Sequence, residues 1–220
     1  MNPLSITAYF DGRPGHEKQT QGILNGLSEL TPIEVAVVNI SVAPAAYLKD
    51  WATYIFPFFQ GVKQGEILPP ADIIIGTGSH THIPMLLDKK RRNRSSCDPV
   101  RVICCMTPDA LLRNKFDLCF IPMHDTPALK ENVFVTQGPP ATVKFEGRHK
   151  EEKGLILVGG LDKKSHVWRS AEIVSRIQII IDKNPSIQWT VSSSPRTPED
   201  TCQMLQDQMY SICPGHHQVS

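Results

Sequence analysis

The sequence has almost no excess charge of either sign: 23 Lys and Arg stand against 22 Asp and Glu, a net charge of +1. Binding driven by wholesale phosphate neutralisation is therefore excluded, and nucleic acid is not an expected partner. Apolar runs long enough to span a bilayer are lacking, as is a basic-then-apolar leader, so cytoplasmic residence is the expectation. None of the six cysteines (97, 104, 105, 119, 202 and 213) stands in a C-x-x-C pair. Cys104, Cys105 and Cys119 lie in apolar runs, where a free thiol behaves as a small hydrophobe. The missing G-x-G-x-x-G and Gly-Lys-Ser/Thr patterns argue against a nicotinamide cofactor and a P-loop. No cofactor is expected. The absence of H-E-x-x-H or Cys/His ligand spacing argues against a metal, and the absence of G-x-S-x-G against a serine nucleophile.

What is present begins with Leu4 to Phe10, an apolar run followed by Asp11-Gly12-Arg13-Pro14-Gly15-His16-Glu17-Lys18 and an apolar-periodic segment. The order predicts a strand, a glycine turn and a helix. Gly12 and Gly15 permit close backbone approach to a ligand, and Arg13 and Lys18 favour an anion at the helix start. Taken alone, the segment is equally a plain strand-to-helix turn with surface charges.

Short apolar runs recur at 33–40, 72–75, 100–105, 117–121, 133–136, 154–158 and 188–192, with helix-length segments between several of them. Continuous β-branched runs of this kind suit parallel strands covered on both faces, so the fold class is α/β with a Rossmann-like parallel sheet. The polar stretch Gly147 to Lys153 marks a boundary. It separates an N-terminal domain over 1–148 from a partial Rossmann-like half over 154–220, whose first helix is predicted from about Ser165 to Asp182. Tyr47 to Phe59 is the most aromatic stretch, but only Lys49 and Lys63 flank it. Packing inside the protein is favoured there over membrane contact.

Four further places carry candidate chemistry. Gly76-Thr77-Gly78-Ser79-His80-Thr81-His82 follows a strand, where Gly78 and Ser79 suit ligand contact and Ser79 or Thr81 suits a helix cap. His80 and His82, two residues apart, would suit a metal pair on a strand, but a general base among His16, His80 and His124 is the better reading. His124-Asp125 is either a site pair or a surface turn. Gly159-Gly160, Lys164 and Ser165 form a second phosphate-loop candidate, with Arg196 after the next strand as a clamp; the alternative is a lysine-rich surface turn.

These blocks, together with Cys105 to Pro108, Phe116 to Asp125, Thr136 to Pro140, Leu157 to Gly160 and Ser193 to Pro198, resemble the mitochondrial-fission Elm1-like family. The resemblance runs in order over nearly the whole chain. It implies a glycosyltransferase-B-like plan of two Rossmann-like halves, with a nucleotide sugar or related diphosphate held in the interdomain cleft. That points to a metal-independent glycosyltransferase in which a first-half histidine or acid is the base. Family members continue beyond Pro198 with further units, so the second half here is incomplete. The resemblance also implies an alternative, a non-enzymatic adaptor: plant members of the family recruit a dynamin-related fission protein at the mitochondrial surface, although that particular partner is not expected for this chain.

Overall fold

The computed structural model describes residues 2–56, 69–94, 98–144, 146–161 and 167–210, with 209 and 210 described by backbone alone. The chain divides into two compact units, Met1–Lys144 and Phe145–Ser220.

The first unit alternates β1 (Leu4–Phe10), α1 (Pro14–Leu30), β2 (Ile33–Asn39), α2 (Pro44–Ile55), β3 (Ile73–Gly76), α3 (Ser79–Arg92) and β4 (Arg101–Cys104). It closes with β5 (Leu118–Pro122) and β6 (Val133–Thr136). All six strands are parallel, in the order β2-β1-β3-β4-β5-β6. This is the α/β class expected from the continuous apolar runs. Such strands need cover on both faces, and the core divides accordingly. Tyr9, Ile74, Val102 and Cys104 face one layer with Ile83, Met85 and Leu86 of α3 and Trp51 and Tyr54 of α2. Ile6, Ala8, Ile75 and Ile103 face the other with Ile23, Leu24 and Leu27 of α1.

Strand β1 sends its crossover helix α1 one way to β2, and the chain then returns past β1 to β3. The order therefore reverses between β1 and β3, and the carboxyl ends of two strands at such a reversal are where open α/β sheets bind ligands.

The charged end of α3 is fixed to the sheet. Arg92 Nε donates to Asp88 Oδ2 at 2.9 Å and its Nη1 to the Pro69 carbonyl at 2.6 Å. Asp88 also accepts a hydrogen bond from Tyr9, and burial followed by the Asp88 charge raises that phenol's pKa.

In the second unit, β7 (Lys153–Val158) and β8 (Gln188–Ser193) form a two-stranded parallel sheet. One face packs on α4 (Ser170–Lys183) and α5 (Glu199–Tyr210) through Val158, Val174, Ile177 and Leu205. Leu155 and Leu157 alternate onto the other face and are exposed. Helix α4 starts at Ser170 rather than at Ser165 as the apolar spacing suggested, with Arg169 in the cap position. Thr201, fully buried, accepts a hydrogen bond from Trp168 Nε1 at 2.8 Å and donates to Ser170 Oγ at 2.7 Å, which ties this start to α5.

Candidate functional site

Because the strands are parallel, the loops after β1, β3, β4 and β5 emerge at one sheet edge, and hydrogen bonds join several of them. At the β1/β3 reversal, Asp11 is 2% exposed although it leaves the end of a strand. Its Oδ2 lies 2.7 Å from His16 Nδ1, and its Oδ1 accepts the Arg13 N–H at 3.2 Å. His16 keeps 24% of its side chain exposed. A buried carboxylate on one ring nitrogen fixes the imidazole's orientation and favours the tautomer that carries its proton on Nδ1. Nε2 is then the basic nitrogen.

Gly78 forms the other wall. Its φ of 105° and ψ of 139° suit glycine alone among the residues. A Cβ at this position would sit 2.5 Å from both Asp11 Oδ2 and His16 Nδ1. The close approach of the β3 loop to the pair thus requires the bare backbone. The Gly78 N–H in turn points at Met106 Sδ in the loop after β4, at 2.9 Å. Below the pair, the buried Thr20 and Thr77 hydroxyls bond at 2.8 Å and join α1 to the same loop.

The other expected residues fall as follows. Gly12, Arg13 and Gly15 are exposed at the start of α1. Gly12 has φ 74°, and neither Gly12 nor Gly15 would meet an atom within 4 Å of an added Cβ. Ser79 opens α3 but does not cap it, since Gly78 holds the cap position without a side-chain bond and the Thr81 hydroxyl donates back to the Gly78 carbonyl at 2.8 Å.

His80 and His82 both lie in the first turn of α3, not on a strand. Two residues of helix turn them about 200° apart, so they are not a metal pair. His80 is half-buried against Tyr47, with ring centroids 4.9 Å apart. His82 is a core residue, 1% exposed, with Nε2 3.3 Å from Cys104 Sγ and the ring edge-on to Phe116. Burial lowers its pKa to about 4, against an upward pull from Asp109. Nδ1 of each ring is buried without a hydrogen-bond partner among the described residues.

His124 stands at the same edge after β5, in a short 3-10 turn. It is exposed and 3.6 Å from Asp125 Oδ1, while Asp125 Oδ2 accepts from the Thr107 hydroxyl at 2.5 Å. Among the described residues no cluster of three or more His, Cys, Asp or Glu could hold a metal.

In the second unit the loops after β7 and β8 are bonded together. Thr197 Oγ1 donates to the Gly159 carbonyl at 2.8 Å, and the Leu161 N–H to the Arg196 carbonyl at 2.9 Å. Gly160 packs directly on the Arg196 backbone and Cβ, which leaves no room for a Cβ of its own, and Arg196 is exposed. Lys164 and Ser165 lie outside the described residues.

Sequence reasoning named His16 as a candidate base but missed Asp11 as its partner. The available signal was an acid at the end of a strand, where a charge is buried only if something pairs with it.

No helix of the described residues is long and apolar enough to cross a membrane. Comparison with curated proteins finds no match. Among solved structures, the chain is similar to S. aureus MnaA in a UDP co-structure, at 14% identity and a TM-score of 0.45, over 93% of this chain and 65% of that one. It is also similar to UDP-GlcNAc 2-epimerase from Neisseria meningitidis bound to UDP-GlcNAc, at 13% identity and 0.45, over 96% and 71%. A third is a putative UDP-N-acetylglucosamine 2-epimerase from Listeria monocytogenes, at 14% and 0.43, over 98% and 68%. The chain thus spans less than two thirds of the first of these. The profile described as Mitochondrial fission ELM1 matches residues 14–214, nearly the whole chain, and the protein belongs to the mitochondrial fission ELM1 family.

Proposed function

We propose that the protein is glycosyltransferase-like and binds a nucleotide sugar or related diphosphate, with His16 as general base. The observation behind this reading is the Asp11–His16 pair held against Gly78 at the β1/β3 reversal. A buried carboxylate behind a partly exposed imidazole is an arrangement suited to proton abstraction.

In the proposed step, His16 Nε2 takes the proton of an acceptor hydroxyl. The freed oxygen bonds to the anomeric carbon of the donor sugar as the bond from that carbon to the diphosphate oxygen breaks, and the diphosphate leaves with the electron pair. Asp11 stabilises the imidazolium that forms. Within the second unit, Arg196 and the Gly159-Gly160 backbone are assigned to binding a diphosphate, where a guanidinium pairs with phosphate oxygens. His80 and His124 are assigned to the acceptor side, with Gly12, Arg13, Gly15, Gly78 and Ser79 as the loops that bound it.

The test is calorimetric titration of the full chain with UDP, GDP and CMP sugars, followed by turnover with candidate acceptor sugars. Arg196→Ala should weaken diphosphate binding by about 1.5–3 kcal/mol, the range for a charge-assisted hydrogen bond. His16→Gln should keep donor affinity and lose turnover. Unchanged affinity in Arg196→Ala would remove that residue from the site. No binding across the nucleotide-sugar panel would refute the proposed donor.

A further inference from the structure

Strands β2 and β6 are the two edges of the six-stranded sheet, and they differ. β6 is four residues long, whereas β2 presents seven, Ile33-Glu34-Val35-Ala36-Val37-Val38-Asn39, with no proline, glycine, lysine or arginine among them. Edge strands are ordinarily protected by shortness, proline or lysine, because their outer N–H and C=O groups are a template for another strand. β2 has none of these protections. Its single charge is Glu34, and it exposes Val35 by 40% and Val37 by 51% on the face that carries Ile6 and Ala8 in the neighbouring strand.

The direction of the backbone groups fixes what can pair there. At the two ends of the ladder with β1, the Pro32 carbonyl accepts from the Leu4 N–H at 2.8 Å and the Ile40 N–H donates to the Phe10 carbonyl at 2.9 Å. Even-numbered residues of β2 therefore turn their groups toward β1. Because the direction alternates along a strand, Ile33, Val35, Val37 and Asn39 turn theirs outward. A second β2 laid antiparallel about a two-fold axis at Ala36 sets Val35 opposite Val37 of the second copy, and Ile33 opposite its Asn39. Every outward residue then exchanges hydrogen bonds, and the four valines meet on one face as β-branched cross-strand pairs. A two-fold centred on Val35 or Val37 instead leaves two residues of each strand without a strand partner. The two Glu34 carboxylates stand four ladder positions apart, roughly 14 Å, beyond the screening length of about 8 Å at physiological salt.

The edge is thus complementary to itself in shape, hydrogen bonding and charge. We propose that two copies of this chain associate through β2, antiparallel about Ala36, so that their sheets become one continuous sheet. The pairing uses the same edge on both copies, so assembly closes at the dimer. A strand pair is small against the roughly 800 Å² per partner of a standard interface, and the dimer is accordingly weak and dissociates on dilution.

The test is sedimentation equilibrium of the full chain over a concentration series, where a reversible monomer–dimer equilibrium is expected. Val35→Lys with Val37→Lys sets like charges directly opposite each other in both valine pairs and should raise the dimer dissociation constant about tenfold or more. Val35→Lys with Val37→Glu removes the same valines but sets Lys opposite Glu twice in this register, so it should restore much of the association. Thermal melting verifies folding of both. Amide hydrogen exchange reads the same contact without a substitution: the Val35 and Val37 N–H groups should be protected in the concentrated protein and released on dilution. A chain that stays monomeric throughout, a dimer unaffected by the two lysines, or a Lys and Glu variant no better than the doubly Lys one overturns the proposal. So does assembly beyond the dimer, or a monomer whose Val35 and Val37 amides are protected at every dilution, the sign of a segment of the same chain covering this edge.

Discussion

Substituting Gly78 by alanine isolates the geometry on which the candidate site depends. The backbone at φ 105° and ψ 139° lies in a region essentially reserved for glycine, and a side chain there costs about 1–3 kcal/mol. The new Cβ would also sit 2.5 Å from Asp11 Oδ2 and His16 Nδ1, well inside van der Waals contact. One of those groups must move, and the loss of their bond adds about 1.5–3 kcal/mol because a charged acceptor is involved. The total of about 2.5–6 kcal/mol corresponds to a fall in Tm of roughly 5–24 °C for a chain of this size.

Two neighbouring glycines serve as internal controls. Gly12→Ala meets no atom but inherits φ 74°, so it should cost only about 1–2 kcal/mol. Gly15→Ala has open space, no positive φ and a place in α1, so it should be neutral or stabilising by about 0.5–1 kcal/mol. Scanning calorimetry gives the order of Tm, and the His16 ring resonances in NMR report whether the pair has moved. A Gly78→Ala protein as stable as Gly12→Ala, with the His16 resonances in place, would refute the reasoning.

Three other outcomes follow from burial and pairing. His82, with its pKa near 4, stays neutral in the native state while the unfolded chain takes up a proton below about pH 6.5. Stability should therefore be intact above that pH and fall by about 3 kcal/mol in total as pH drops to 4, a slope in denaturant melts that His82→Gln should remove. Burial raises the Cys105 thiol to about 12 and Cys119 to about 11, and raises Cys104 well above its ordinary value. A thiol reagent at neutral pH should therefore label Cys202, which is partly exposed, ahead of these three, as peptide mapping would show. Arg92→Ala strands the buried Asp88 carboxylate and should cost about 3–5 kcal/mol in urea unfolding, whereas the double variant with Asp88→Asn should recover part of that loss.

Local order was legible in the residues themselves. Leu4 to Phe10 reads as a buried strand because it is short, apolar and followed by glycine, and the structure places β1 over the same residues. The run from Val133 to Thr136 likewise coincides with β6. Helix α4 was less legible, since Val167 extends its apolar spacing backward, yet the Trp168–Thr201–Ser170 bonds hold the start at Ser170. Those bonds involve a partner some 30 residues away, beyond any local pattern.

The sequence by itself determined the α/β class, the glycine turns after the first and third strands and the family, because each depends on residues close together in the chain. Only the tertiary structure decided that Asp11 and His16 meet Gly78, more than 60 residues later, and that His80 and His82 point apart. The physical reason is strand order: placing β3 beside β1 sets their loops against each other at one edge.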